Sequence, residues 1–129
     1  MSIAGTGVDL VEVSRIAEVI ERHGDRFLGR VFTASETAYC QSHGVPEQHF
    51  AGRFAVKEAV LKALGTGWRG RIRWTDIDVS RDAYGAPHVT LSGAAGQRAA
   101  ELHIETVHVS LSHTRQHAIA HAIAEARAR

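Results

Sequence analysis

A carboxylate and an ammonium group lie one helical turn apart near the middle of the sequence. Glu58 and Lys62 belong to F-A-G-R-F-A-V-K-E-A-V-L-K-A-L-G-T-G, residues 50–67, an apolar run that ends on glycines. Side chains at i and i+4 project from one helix face, here beside the small residues Ala51 and Ala55. One interpretation is an ordinary ion pair. The other is functional: Glu58 holds a metal and helps to remove a proton from a nucleophile, while Lys62 neutralises a phosphate leaving group.

Asp9 is a second carboxylate that could join this chemistry. It lies between Val8 and Leu10 in a short apolar segment. With Glu12 three residues further on, it could cap the following helix as a D-x-x-E box. Alternatively, Asp9 and Glu58 converge on one hard cation. Two carboxylates completed by waters and substrate phosphates are the usual way in which proteins hold Mg²⁺.

Further cations lie in the same part of the sequence. Arg53, Lys57 and Lys62 precede the glycines Gly65 and Gly67, and a glycine loop beside cations suits phosphate groups. The pattern is not a P-loop, because its glycines follow the helix instead of preceding it.

Three arginines, Arg15, Arg22 and Arg26, are spaced i, i+7 and i+11 on a predicted first helix. They form one basic stripe along that helix. The stripe is either a solvated face, diluted by Glu18 and Glu21, or a docking surface for an acidic helix of a partner.

The elements that must position these residues predict an α+β fold. Periodicity predicts strands over residues 3–11, 76–79, 88–91, 107–113 and 118–124. It predicts helices over residues 14–26, from the Thr33–Glu36 capping box to Gly44, over 46–64 and over 94–102. The alanine-rich last strand could also be helical. Helices come first and mostly antiparallel strands later, which indicates a compact single domain over residues 1–129, with a long central helix packed on the sheet.

Composition limits the class of protein. The chain has 129 residues, 44% of them hydrophobic, and a net charge of +1. These values give no case for nucleic acid or an anionic membrane, and no apolar run is long enough to span a bilayer. One cysteine, Cys40, and no signal-peptide pattern favour the cytoplasm. The nine histidines show no zinc spacing, so structural histidines are the default interpretation.

Three segments together resemble one family. They are G-T-G-V-D-L-V-E-V-S-R-I at residues 5–16, the central run at 50–67 and H-V-S-L-S-H-T at 108–114. Their order and spacing are similar to those of the holo-[acyl-carrier-protein] synthases, the small bacterial class of 4′-phosphopantetheinyl transferases. The resemblance implies an enzyme that moves the 4′-phosphopantetheine arm of coenzyme A onto a serine of apo-acyl carrier protein and releases adenosine 3′,5′-bisphosphate. It also implies Mg²⁺ dependence and a homotrimer with sites between subunits.

The resemblance also implies roles for individual residues. The metal carboxylates fall on Asp9 and Glu58, and the lysine near the pyrophosphate falls on Lys62. Ala86 departs from the pattern, because the family often has lysine in that turn. The coenzyme A contacts fall on Arg53, Lys62, Gly65, Thr66, Gly67, Pro87, Ser112 and His113.

For the carrier protein, the resemblance implies one docking residue. The arginine that meets the acidic helix of the carrier falls on Arg15, while Arg22 and Arg26 are added on helical spacing alone. Whether the carrier serves fatty-acid or polyketide synthesis stays open.

Two other functions fit the same residues. A Mg²⁺-dependent hydrolase of nucleotide pyrophosphates would consume coenzyme A without apo-carrier protein. A non-catalytic module that binds coenzyme A or a carrier protein would have no need for Glu58 and Lys62 together on an apolar helix.

Overall fold

The computed structural model describes residues 1–65 and 71–128. Five helices lie in these ranges: α1 (Val13–His23), α2 (Asp25–Val31), α3 (Ala34–Gln41), α4 (Pro46–Leu64) and α5 (Gly93–Glu101). The strands are β1 (Ser2–Glu12), β2 (Ile77–Arg81), β3 (Pro87–Leu91), β4 (Ile104–His113) and β5 (His117–Ala126). A 3-10 turn at Trp74–Asp76 leads into β2. The α+β prediction is therefore confirmed.

One antiparallel sheet and one hairpin make up the β-structure. The sheet has the order β1-β5-β4, and β2 pairs with β3. The alanine-rich segment is a strand, and its register puts Ala120 between Asp9 of β1 and Leu111 of β4. Its alternate alanines are buried, from Ala118 to Ala126. This inner face of small side chains packs against α4. No helix in the described ranges is long and apolar enough to cross a bilayer.

The central helix begins and ends where its sequence predicts. Pro46 occupies the first turn, where a missing N–H is tolerated. Gly65 ends the helix in a left-handed conformation with φ of 74°, which glycine adopts without steric cost. Ala51 and Ala55 are fully buried. They make room for neighbouring elements and not, as the helical wheel suggested, for a ligand. Gly67 and Thr66 lie outside the described residues.

The prediction of one helix over residues 14–26 is wrong. Gly24 has φ of 52° and ψ of −131°, so it breaks the segment into α1 and α2. The Thr33–Glu36 capping box is present, but its helix ends at Gln41, three residues before Gly44.

The capping interpretation of Asp9 is also wrong. The residue at the cap of α1 is Glu12, and no side chain makes a capping hydrogen bond there. Asp9 instead lies inside β1, opposite Ala120 of β5. Its carboxylate is therefore available for another role.

The strand β1 lies directly on α4 at two glycines. A Cβ on Gly7 would overlap the backbone carbonyl of Ala59 and come within 2.9 Å of the Lys62 Cβ. A Cβ on Gly5 would overlap the carbonyl of Ala63 in the same way. Since backbone atoms cannot rotate away as a side chain can, only glycine permits this approach. The glycines of the G-T-G-V-D segment therefore set the distance between β1 and α4.

A buried ion pair fixes the other side of α4. The Lys57 Nζ lies 2.8 Å from Glu36 Oε1, and both side chains have 0% exposure. The ammonium also donates to the carbonyls of Trp74 and Ile77. Glu36 accepts from the backbone N–H of Val79. Because every partner is a polar group of α3, the 3-10 turn or β2, the pair ties three elements to α4.

We expect Gly7→Ala to destabilise the fold by about 1–3 kcal/mol or more, the typical cost of overpacking. The measurement is the free energy of unfolding in urea. Gly29→Ala is the control, because α2 leaves open space around that position, with no heavy atom within 4 Å of the added Cβ. It should stabilise the helix by about 0.5–1 kcal/mol. Equal stability of the two variants would contradict the close approach.

We expect Lys57→Met to cost about 3–5 kcal/mol, because it leaves a buried carboxylate without its cation. Glu36→Gln should also destabilise, since the ammonium then has only neutral acceptors. The double variant should lose less stability than the two single losses together. Urea unfolding of all four proteins gives the coupling energy. Strictly additive losses would mean that the two groups do not interact.

Candidate active site

Asp9 and Glu58 line one cleft, which we call the carboxylate cleft. It has a volume of about 410 Å³ and lies between the end of β1, α1, α2 and α4. Its other lining groups include Arg15 and the rings of Phe27 and Phe54. Asp9 reaches the cleft because alternate residues of β1 face α4. Glu58 reaches it from α4, one turn after Phe54. The two carboxylates that the sequence predicted to converge therefore share one opening.

Lys62 contacts Asp9 from α4. Its Nζ lies 3.4 Å from Asp9 Oδ1 and donates to the Val8 carbonyl at 2.8 Å. The lysine side chain is 52% exposed, whereas that of Asp9 is 18% exposed. The ammonium is thus free to exchange this carboxylate for a phosphate that enters the cleft. The contact joins two elements and is more than a pair within one helix.

Burial raises the pKa of Asp9 above its usual range, and the neighbouring Lys62 only partly opposes this effect. The charged form of Asp9 is therefore under-compensated in the structure. A cation in the cleft would favour that charged form. An all-oxygen pair of this kind suits a hard ion such as Mg²⁺. In the described part of the chain, no three histidine, cysteine or acidic groups converge on one point.

Of the three predicted docking arginines, Arg15 alone lines the carboxylate cleft. Arg22 lies two turns further along α1, and both side chains are exposed. Arg26 follows the break at Gly24 and belongs to α2. The predicted single stripe of three arginines is therefore wrong at Arg26.

A second cluster surrounds the predicted coenzyme A residues Arg53 and His113. We call the four rings of Tyr39, His43, His49 and His113 the ring cluster. Its successive ring centroids are separated by 4.3 Å, 4.1 Å and 5.4 Å. The Arg53 guanidinium lies 4.0 Å from the centroid of the Tyr39 ring. The cluster thus joins Arg53 of α4 to His113 at the end of β4.

The turn before Pro87 is tied to the same cluster through Arg81. The Arg81 guanidinium lies 5.4 Å from the Tyr39 ring centroid, and its Nη1 donates to the Gly85 carbonyl at 2.7 Å. Pro87 is the first residue of β3. Three of the predicted coenzyme A positions therefore converge on Tyr39, although they are far apart in the sequence.

Ser112 does not join this group. Neighbouring strand residues point to opposite faces, and Ser112 is exposed while His113 is half-buried. Gly65 is exposed at the end of α4, and the loop that follows it lies outside the described residues. Ser112 thus belongs to the outer face of the sheet.

Lys57 is a correction, and several ring-cluster residues are additions. Lys57 cannot meet a phosphate, because it is buried with Glu36. Sequence reasoning missed Tyr39, His43, His49 and Arg81. The only local signal was the i, i+4 spacing of Tyr39 and His43, which many helices share.

Comparisons with known proteins agree with this arrangement. The family model described as the 4′-phosphopantetheinyl transferase superfamily matches residues 5–122. A holo-[acyl-carrier-protein] synthase of Koribacter versatilis is 50% identical over 123 residues, which cover 95% of this chain and 98% of that protein.

Solved structures give the same result. A holo-[acyl-carrier-protein] synthase from Neisseria meningitidis superposes with a TM-score of 0.88 at 35% identity, covering 96% of this chain and 99% of that one. The Helicobacter pylori enzyme, solved in complex with coenzyme A, gives 0.82 at 32% identity and covers 93% and 99%. The predicted resemblance is confirmed: this chain belongs to the 4′-phosphopantetheinyl transferase superfamily.

Proposed function

We propose that this chain transfers the 4′-phosphopantetheine arm of coenzyme A to a serine of an apo-acyl carrier protein. The observation that carries the proposal is the carboxylate cleft, where Asp9 and Glu58 lie beside Lys62 in a chain of this family. The synthases of Koribacter versatilis and Neisseria meningitidis bear names for the same reaction. The products are holo-acyl carrier protein and adenosine 3′,5′-bisphosphate.

In the proposed reaction, the serine oxygen attacks the phosphorus that bears the pantetheine arm. The bond from that phosphorus to the bridging oxygen breaks, and the bridging oxygen leaves with adenosine 3′,5′-bisphosphate. The serine proton moves toward the Glu58 carboxylate. The Lys62 ammonium neutralises charge that builds on the leaving phosphate. Its exposure and its weak hold on Asp9 leave it able to move to that position.

Asp9 and Glu58 are the residues that would hold Mg²⁺. The fit rests on two oxygen ligands in one cleft and on the desolvated carboxylate of Asp9. When bound, the ion supplies charge stabilisation to the pyrophosphate oxygens.

Coenzyme A would reach the cleft from the ring cluster. We assign its contacts to Arg53, Lys62, Gly65, Thr66, Gly67, Pro87, Ser112 and His113. Arg53 supports this assignment, because it is 2% exposed and its buried Nε has no hydrogen-bond partner among the described residues. A buried guanidinium with an unused donor favours an anionic ligand.

A homotrimer would give the outer sheet face a partner. Ile3, Val8, Leu10 and Ile119 are between 44% and 66% exposed there, and exposed apolar side chains grouped on one face favour association. Ser112 lies on this outer face, which supports sites shared between subunits. We further propose one transferase domain over residues 1–129. We place it in the cytoplasm, since Cys40 is a buried free thiol whose pKa is raised by burial to about 11.

We expect Asp9→Asn and Glu58→Gln each to lower transfer at least a hundredfold, because each removes one metal ligand and its charge. The assay mixes protein, coenzyme A, Mg²⁺ and apo-carrier, and follows the mass of the carrier. Glu105→Gln, an exposed carboxylate on β4, is the control and should retain activity. Near-normal turnover of either cleft variant at limiting Mg²⁺ would contradict the assignment. Consumption of coenzyme A without carrier would instead indicate a hydrolase.

We expect Arg15→Glu to raise the KM for the carrier protein about tenfold or more and to leave coenzyme A binding unchanged. Its guanidinium lies at the rim of the cleft, where an acidic carrier helix would dock. Arg127→Glu, beyond the opposite end of the sheet, is the matched charge reversal and should have little effect. Added salt should weaken the wild-type interaction, because exposed charges are screened over about 10 Å at 0.1 M. A carrier KM that ignores both changes would return Arg15 to the solvated-face interpretation.

A further inference from the structure

His49 occupies the middle of the ring cluster. Its centroid lies 4.1 Å from that of His43 with a 39° tilt, and 5.4 Å from that of His113 in an edge-on arrangement. A third contact places it 5.8 Å from Tyr39. Tyr39 in turn carries the Arg53 guanidinium. His49 is therefore the group that contacts His113 directly and Arg53 through one intervening ring.

His43 is held firmly enough to support this stack. Its Nδ1 lies 2.7 Å from the Tyr39 carbonyl. Because a carbonyl oxygen can only accept, this nitrogen carries a proton and donates. The Ser42 hydroxyl donates to the same carbonyl at 2.6 Å. The turn after α3 thus fixes the His43 ring against one face of His49.

The surroundings of His49 disfavour a charge on its ring. The titratable or charged groups that face it within the described residues are Tyr39 of α3, His43 of the following turn, Arg53 of α4, Arg81 of β2 and His113 of β4. None of these is a carboxylate. Burial and the neighbouring cations lower the pKa of His49 to about 4, and its Nδ1 is buried without a hydrogen-bond partner in the described part of the chain. The ring is therefore neutral near pH 7.

We propose that His49 is a positioning residue for coenzyme A, which acts as an uncharged ring that holds His113 and, through Tyr39, Arg53 in their binding arrangement. The inference rests on the proposed function, because it takes His113 and Arg53 as coenzyme A contacts. A neutral imidazole can lie against His43 and between two guanidiniums without repulsion. Its edge-on contact limits rotation of the His113 ring, so the entropy of ordering that side chain is already lost before the ligand binds.

Coenzyme A binding by calorimetry, without carrier protein, tests the positioning role. We expect His49→Ala to raise the Kd for coenzyme A about tenfold, while the KM for the carrier protein stays within twofold. His49→Phe keeps a neutral ring and should restore binding to within about threefold of wild type. His23→Ala, at the exposed end of α1, is the control and should bind normally. An unchanged Kd in His49→Ala would overturn the proposal, as would a Phe variant that binds as poorly as the Ala variant.

The neutral state has a separate test in the pH dependence of stability. A histidine whose pKa is about 4 in the folded state and about 6.5 when unfolded binds more protons in the unfolded chain between these values. The wild-type protein should therefore lose stability relative to His49→Phe as pH falls from 6.5 towards 4. A difference that does not change with pH would overturn the uncharged ring.

The two tests separate this inference from the proposed function. A wild-type protein that binds coenzyme A but transfers nothing would refute the transferase proposal, and the binding comparison would still decide the role of His49. A wild-type protein that does not bind coenzyme A would overturn both.

Discussion

The approach of β1 to the backbone of α4 is the constraint on which the active site depends. Gly5 and Gly7 let the strand lie where any side chain would overlap the carbonyls of Ala63 and Ala59. Asp9 follows two residues after Gly7 on the same strand face, so its carboxylate meets the helix beside Lys62. The strand position therefore fixes which residues of α4 Asp9 can reach. The cost is borne in the chain entropy of two glycines, roughly 0.5–1 kcal/mol each relative to alanine.

The helix α4 carries three cations with three different roles. Lys57 is fully buried, and desolvation lowers its pKa even though Glu36 opposes the shift. It is a structural group, because its partners hold α3 and β2 in place. Arg53 is also buried, but its guanidinium lies on Tyr39 and keeps an unused donor. Lys62 is exposed and lies at the cleft. The same element thus provides stability on one side and ligand-binding charge on the others.

Local sequence signals predicted most of the elements, because capping residues, proline and alternation act over a few neighbours. The boundaries of α4 and the capping box at Thr33 are examples. The break at Gly24 was misjudged, since a glycine can end a helix or be followed at once by another. The carboxylates Asp9 and Glu58 were found from residue types and family resemblance. The ring cluster could not be, because His49 and His113 come together only when β4 packs beside α4. The burial of Lys57 likewise depends on a partner 21 positions away in the sequence.

The central claim is that glycine-controlled seating of β1 makes Asp9 and Glu58 ligands of one cation. Mn²⁺ prefers similar oxygen ligands to Mg²⁺, and its binding to the protein with coenzyme A can be measured by electron paramagnetic resonance. We predict one tight Mn²⁺ per chain in the wild-type protein. Affinity should fall at least tenfold in Asp9→Asn, in Glu58→Gln and in Gly7→Ala, the last under conditions where circular dichroism shows it folded. Unchanged affinity in either carboxylate variant would contradict the account.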